Sequence, residues 1–198
     1  MGCRAEPDEQ VKALAESCIA ELERTAAPKW VYRRESLAVF DDLVQMGPLE
    51  VHSESLSGHL SGCTEVILFA ATLGTTVDLL LRRCQIASVG RGAAMQAAAA
   101  AMIEAFCDEC QLELEKTAGL YLRPRFSPGY GDLPLEFQKP LLRFLETDRR
   151  IGLTVTDSLI MVPTKSVSAI IGLTPDRQSC RIHKCASCPK TDCPFRSV

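Results

Sequence analysis

The sequence has no long basic run and no uninterrupted apolar stretch of membrane-spanning length. Its 22 Lys and Arg are balanced by 25 Asp and Glu, giving a formal net charge of -3, so we do not expect it to bind nucleic acid. The most apolar stretch, residues 65–81, is interrupted by Glu, Asp, Thr and Gly and falls short of a spanning helix, so no membrane association is expected. The first residues contain no apolar signal segment, which favours a cytoplasmic protein.

Apolar residues and cysteines are plentiful. With 198 residues, 46% of them apolar, the chain can bury a sizeable core. Ten cysteines in a reducing compartment are expected to serve as core residues, metal ligands or redox groups rather than as disulfides. Cys107 and Cys110 share one face of a predicted helix, and core packing is the simplest interpretation of that pair.

The hydrophobic periodicity predicts helices and strands in an irregular order. Two β-prone segments, 153–162 and 166–172, are predicted to pair as a hairpin. An order of helix, strand, two helices, strand, loop, helix and hairpin predicts an α+β fold rather than a regular βαβ repeat. The predicted helices cover about 7–24, 75–85, 88–118 and 134–148, and the other predicted strands lie at 30–32, 65–71 and 120–122.

The segment from Arg123 to Pro134 has the composition of a shaped loop. Its three prolines and two glycines exclude a regular helix or an interior strand. Arg125 and Tyr130 flank a Ser127-Pro128-Gly129 turn and offer a planar fork for a carboxylate beside an aromatic ring. Composition alone also fits an ordinary surface connection, so the neighbouring motifs decide between the two interpretations.

The last residues carry four closely spaced cysteines, which predict a metal site. Four thiolates in one short segment can surround a single metal ion or cluster, and free thiols or a disulfide pair are the alternative. Zinc would form a structural site, whereas the Cys-Pro pairs and the clustered spacing favour an iron-sulfur cluster slightly. The ligands would be Cys180, Cys185, Cys188 and Cys193, in a tail of residues 177–198 that follows a domain of residues 1–176.

Three motifs together resemble the activation domain of cobalamin-dependent methionine synthase, over about residues 90–176. They are Glu104-Ala-Phe106 on the long predicted helix, Arg125-Phe-Ser-Pro-Gly-Tyr130 in the loop, and the run from Gly152 to Ser158 with the Met161 and Ser166 segments after it. The resemblance implies a twisted antiparallel sheet with flanking helices. It also implies an S-adenosylmethionine site formed by Glu104, Arg125, Ser127, Pro128, Gly129 and Tyr130.

Within that resemblance each side chain has a charge partner on the ligand. Arg125 would bind the carboxylate of S-adenosylmethionine, Glu104 its ammonium group, and the ring of Tyr130 its sulfonium. Glycine at position 129 would let the backbone approach closely, and Ser127 and Pro128 would belong to the same wall. From its spacing alone, Glu104 would be interpreted as a solvent-facing helix acid.

The implied function is reductive reactivation, in which cob(II)alamin on a partner protein receives an electron from a reduced donor and a methyl group from S-adenosylmethionine. The chain would then be a standalone subunit of a methyltransferase system, with no acid, base or covalent residue of its own. Its partners would be a cobalamin-bound methionine synthase or another corrinoid protein, and a reductant such as flavodoxin or ferredoxin. The alternatives are an iron-sulfur electron donor for a corrinoid methyltransferase and a non-catalytic corrinoid-protein chaperone.

Overall fold

The computed structural model describes residues 8–176, and its framework is a six-stranded antiparallel sheet in the order β3-β2-β1-β4-β8-β5. A separate two-stranded sheet pairs β6 with β7. The strands are β1 (Lys29–Phe40), β2 (Leu43–Met46), β3 (Leu49–His52), β4 (Glu65–Thr72), β5 (Tyr121–Leu122), β6 (Thr154–Val155), β7 (Met161–Val162) and β8 (Ser166–Thr174).

Helices cover both faces of this sheet. A short 3-10 turn, Leu135–Phe137, leads into α5. Within the described part of the chain the helices are α1 (Glu9–Thr25), α2 (Glu54–Leu60), α3 (Thr75–Ala87), α4 (Val89–Ala118), α5 (Gln138–Leu145) and α6 (Thr147–Arg150). No helix among residues 8–176 is both long and apolar enough to cross a membrane.

Strand β4 lies near the middle of the sheet and divides the core into two clusters. Its odd-numbered side chains, such as Phe69, pack with α1, α3 and α4 on one face. Its even-numbered side chains, such as Leu68, pack with α2 and α5 on the other. Seven of the eight β4 residues are buried, as expected for a strand that is covered on both faces.

The long helix α4 supports the proposed ligand loop. Its N-cap is Ser88, whose hydroxyl accepts a hydrogen bond from the backbone N–H of Arg91 at 3.4 Å. Gly119 ends the helix at a φ of 68°, in the left-handed region that favours glycine, as the sequence predicts. The next residues form β5, so the chain enters the loop beside the C-terminal end of α4.

The predicted hairpin of 153–162 and 166–172 is wrong. Residues 154–162 fold back on themselves as the β6–β7 pair, with Thr154 opposite Val162. Strand β8 instead pairs with β4 and β5 in the main sheet. Residues 168–174 are all buried, and a strand that is buried on both faces is stabilised most when it lies between two other strands of a sheet.

No helix or strand is predicted between the strands at 30–32 and 65–71, and the structure places β2, β3 and α2 there. Strands β2 and β3 extend the sheet beyond β1, and α2 begins after Ser53, whose hydroxyl accepts a hydrogen bond from the backbone N–H of Leu56. These elements have four to seven residues each, too few for a periodic pattern to be recognised. Helix α2 matters for the site because it anchors the loop.

Candidate functional site

The loop from residue 123 to residue 134 is fixed to the edge of β8. The backbone N–H of Phe126 donates to the Ile170 carbonyl at 2.9 Å, and the Ile170 N–H donates back to Phe126 at 2.8 Å. After this bridge the chain turns: the N–H of Tyr130 donates to the Ser127 carbonyl at 3.0 Å, and Gly129 takes a φ of 91°. This φ lies in the left-handed region, so the turn favours glycine at this position.

Asp132 ties the far side of the loop to the start of α2. Its carboxylate accepts hydrogen bonds from the Ser53 hydroxyl at 2.6 Å and from the backbone N–H groups of Glu54 at 2.8 Å and Ser55 at 3.0 Å. The hydrogen bond from Ser53, helped by the two N–H groups, holds the pKa of Asp132 well below its usual range. Asp132 was interpreted as an ordinary loop residue, yet it accepts hydrogen bonds at the N-terminus of a helix that is far away in the chain.

Arg125 is held by three side chains of α4. Its side chain is only 15% exposed, and its Nη2 donates to Glu104 at 2.9 Å and contacts Asp108 at 2.8 Å. Its Nη1 donates to the side-chain oxygen of Gln111 at 3.1 Å. Burial disfavours the charge, but the hydrogen bond to Asp108 and the neighbouring acids outweigh it, so the pKa of Arg125 lies above its ordinary value.

The three residues that hold Arg125 lie on one face of α4. Glu104, Asp108 and Gln111 are separated by four and three positions, which places them in successive turns of a helix. The amide of Gln111 also donates to the backbone carbonyl of Arg123 at 3.2 Å, so this residue joins the loop backbone to the guanidinium. The helix thus sets the direction of the Arg125 side chain.

A cleft of about 450 Å³ lies between α4 and the loop, within the size range of small-molecule sites. Four of the six predicted ligand residues line it: Glu104, Arg125, Ser127 and Tyr130. The other two, Pro128 and Gly129, form the turn that carries Tyr130. The lining is completed by Asp108, Gln111, Leu112, Glu115, Leu122, Pro124 and Val167.

Tyr130 gives the cleft an aromatic wall. Its side chain is 49% exposed, and its ring meets that of Phe126 edge-on, with centroids 5.9 Å apart. Phe126 in turn packs against the imidazole of His59, which contacts the Pro124 carbonyl at 2.9 Å. The aromatic ring that the sequence predicts for the ligand is therefore supported from α2.

Sequence reasoning missed Asp108, Gln111 and Asp132. The first two could have been found from the helical spacing that follows Glu104, once the loop was known to lie against that face of α4. Asp132 gave no such signal, because its partners at Ser53–Ser55 belong to a helix that was not predicted. Arg123, also given no role, is 5% exposed and donates to the Ser61 carbonyl.

The cysteines of α4 are core residues, as predicted. Cys107 and Cys110 are buried, and burial raises the pKa of Cys107 to about 12 and that of Cys110 to about 11. Among residues 8–176, no group of three or more His, Cys, Asp or Glu side chains is placed to hold a metal ion. The four predicted metal ligands, Cys180, Cys185, Cys188 and Cys193, lie outside the described residues.

The comparison with known sequences matches the family that the motifs resemble. The sequence model of the vitamin B12-dependent methionine synthase activation domain matches residues 105–192, which confirms the resemblance. The match starts later and ends later than the predicted 90–176: it includes the whole loop and begins one residue after Glu104. No curated protein matches the sequence significantly.

A solved structure shares the fold. The crystal structure of the MetH reactivation domain bound to AdoHcy matches with a TM-score of 0.68 at 19% sequence identity. The match covers 85% of this chain and 66% of that one, so this chain spans just under two thirds of the other. The predicted α+β fold, an antiparallel sheet with flanking helices, is confirmed.

Proposed function

Starting from the match of residues 105–192 to the activation-domain family, we propose that the cleft binds S-adenosylmethionine as the methyl donor for reductive reactivation of a partner's cobalamin. The observation that carries this proposal is the position of Arg125. A nearly buried guanidinium lies at a cleft between α4 and the loop, beside Glu104 and a few residues before Tyr130. The similar crystal structure holds AdoHcy, the demethylated form of this ligand.

Arg125 is the proposed partner of the ligand carboxylate. A guanidinium has five N–H donors, and its three hydrogen-bonded contacts with Glu104, Asp108 and Gln111 leave donors for a further acceptor. Those contacts also restrict its rotamers, so little conformational entropy remains to be lost when a ligand binds. Arg125 is thus preorganised for a carboxylate.

Glu104 and Tyr130 are the proposed partners of the two cationic groups. The Glu104 side chain is 62% exposed, so its carboxylate can accept from an ammonium group without leaving the cleft. The ring of Tyr130 offers its electron-rich face to a sulfonium. Ser127 lines the same wall, and Pro128 and Gly129 hold the turn in shape.

The chemistry itself belongs to the corrinoid and the methyl donor. Cob(II)alamin gains one electron from a reduced protein such as a flavodoxin or ferredoxin, and the resulting cobalt(I) takes the methyl group from the sulfonium. In this proposal the chain binds and orients the donor, while the corrinoid is carried by a methionine synthase or a related methyltransferase protein.

Reconstitution tests this function. The purified chain is mixed with a cobalt(II) corrinoid partner, a reductant and S-adenosylmethionine, and the corrinoid spectrum is followed. We expect methylcobalamin to form with the wild type, to form much more slowly with Arg125→Ala, and to form normally with Arg82→Ala, which removes an exposed arginine of α3.

Calorimetry separates this function from a chaperone role. If wild type and Arg125→Ala both fail to bind S-adenosylmethionine, the chain is better explained as a non-catalytic chaperone of a corrinoid protein.

Iron analysis and the visible spectrum of the full chain test the predicted tail site, because an iron-sulfur cluster is brown and a zinc site is colourless.

A further inference from the structure

The lining of the cleft carries more negative than positive charge. Three carboxylates, of Glu104, Asp108 and Glu115, face one guanidinium, of Arg125, so these four residues have a formal charge of -2. This excess is not required to hold an arginine, because one acid would neutralise it. A second carboxylate on Arg125 and a third farther along the helix therefore call for a different explanation.

Asp108 is central to this excess. It contacts the same nitrogen of Arg125 as Glu104, at 2.8 Å against 2.9 Å, although the sequence motif indicated only Glu104. If Glu104 turns toward a ligand ammonium, Asp108 still holds the guanidinium in place. The four residues keep their formal charge of -2 whichever of the two acids contacts the guanidinium, and Asp108 contributes one of the negative charges.

The proposed ligand and its product differ in charge. S-adenosylmethionine has a carboxylate, an ammonium and a sulfonium, with a sum of +1, whereas S-adenosylhomocysteine keeps only the first two and is neutral. When the methyl group leaves, the sulfur keeps the electron pair of the broken S–C bond and loses its positive charge. A cleft with excess carboxylate can distinguish the two without a steric contact to the methyl group.

We propose that Asp108 sets a charge preference of the cleft for the sulfonium ligand over its neutral thioether product. The inference rests on the proposed function, since it takes S-adenosylmethionine as the ligand. Asp108 acts here as a specificity residue that does not touch the reacting atoms. Because the attraction disappears with the transferred methyl group, the same charge excess favours release of the product.

The test is calorimetry of the full chain with S-adenosylmethionine and S-adenosylhomocysteine. We expect the wild type to bind S-adenosylmethionine more tightly than S-adenosylhomocysteine. Asp108→Asn should lower the ratio of the affinity for S-adenosylmethionine to that for S-adenosylhomocysteine by about 5-fold, the effect of one charge at an open cleft. Asp108→Glu keeps the charge and should retain the preference. Glu113→Gln removes the same charge from α4 outside the cleft lining and should change the ratio little.

The ratio of the two affinities is the decisive quantity, because any displacement of Arg125 weakens both ligands together. A wild type that binds both ligands equally, or an Asp108→Asn variant that weakens both by the same factor, overturns the inference while leaving the proposed function intact. A wild type that binds neither ligand overturns the proposed function instead.

A measurement on the wild type alone covers the case in which Asp108→Asn does not fold. Raising the salt concentration from about 0.1 M to about 1 M shortens the screening length from about 10 Å to about 3 Å. We expect the affinity for S-adenosylmethionine to fall and that for S-adenosylhomocysteine to change much less. Equal salt dependence of the two ligands would contradict a charge-based preference.

Discussion

The hydroxyl of Ser53 donates a hydrogen bond of 2.6 Å to the carboxylate of Asp132, across 79 positions of sequence. This contact joins the N-terminus of α2 to the loop that carries Arg125 and Tyr130. Since Leu56 and Leu60 of α2 belong to the same core cluster as Leu133 of the loop, the loop is anchored to the interior as well as to β8. The geometry of the cleft therefore depends on residues on the far side of the loop.

Replacing Asp132 by Asn should lower the melting temperature by a few degrees and weaken ligand binding at the cleft. The amide keeps the shape of the side chain but loses the charge that interacts with the N-terminus of α2. Thermal unfolding followed by circular dichroism measures the change. Asp157→Asn is the matched control, because Asp157 is fully exposed and contacts Lys139 only at 3.6 Å. Equal melting temperatures for the two variants would contradict the capping role.

The same carboxylate predicts an acid-dependent loss of stability. Its folded pKa lies below the ordinary value of 3.8, so its contribution is fully present above that value and is lost as the pH falls through the folded pKa. The difference in melting temperature between wild type and Asp132→Asn should therefore be constant at neutral pH and should shrink below about pH 4. A difference that grows on acidification would have the wrong sign for a depressed pKa.

Gly131 offers a second test of the junction between the loop and α2. It has a φ of 55°, and a β-carbon there would lie 2.6 Å from the β-carbon of Ser55. Gly131→Ala should destabilise the fold by about 2 kcal/mol or more from the left-handed backbone and the collision together. Gly58→Ala, in α2 with no atom within 4 Å of the new methyl group, should instead stabilise by about 0.5–1 kcal/mol. Urea titration of both variants measures the contrast.

The parts of the fold that could be predicted from the sequence are those determined by interactions between residues close together in the chain. Helix α4 was predicted to end at Gly119 because periodicity and the stop residue are local signals. The strand that pairs with β8 was not predicted correctly, because an apolar run indicates a buried strand but does not identify its neighbour in the sheet. In the structure Ser166 lies opposite Thr72, a residue 94 positions away. The wrong hairpin came from assuming that the nearest β-prone segment was the partner.

The residues of the site also fall into two groups, those recognised from the sequence and those that only the tertiary structure brings to the loop. Arg125, Gly129 and Tyr130 were found because one short motif contains all three, and Glu104 because the family resemblance includes it. Asp108 and Gln111 face the loop only because β5 turns the chain back along α4. That arrangement is a property of the tertiary structure, and the spacing on the helix becomes informative only once it is known.

The buried cysteines of α4 predict selective labelling. Because burial raises the pKa of Cys107 to about 12 and that of Cys110 to about 11, neither thiol should form a thiolate at pH 8 in the folded protein. Iodoacetamide treatment followed by peptide mapping should leave both unmodified until urea unfolds the chain. Rapid modification of Cys107 in the native protein would contradict its assignment to the core.

Gln111 provides the last prediction, which separates positioning from charge. Its oxygen accepts from Arg125 at 3.1 Å and its nitrogen donates to the Arg123 carbonyl at 3.2 Å, so Gln111→Ala frees the guanidinium from the loop backbone without changing any charge. We expect the affinities for S-adenosylmethionine and S-adenosylhomocysteine to fall by the same factor, about 5-fold for one lost hydrogen bond. Calorimetry measures both, with the exposed Gln45→Ala of β2 as the control. A change in the ratio of the two affinities would show that the amide, although neutral, contributes to the discrimination assigned to Asp108.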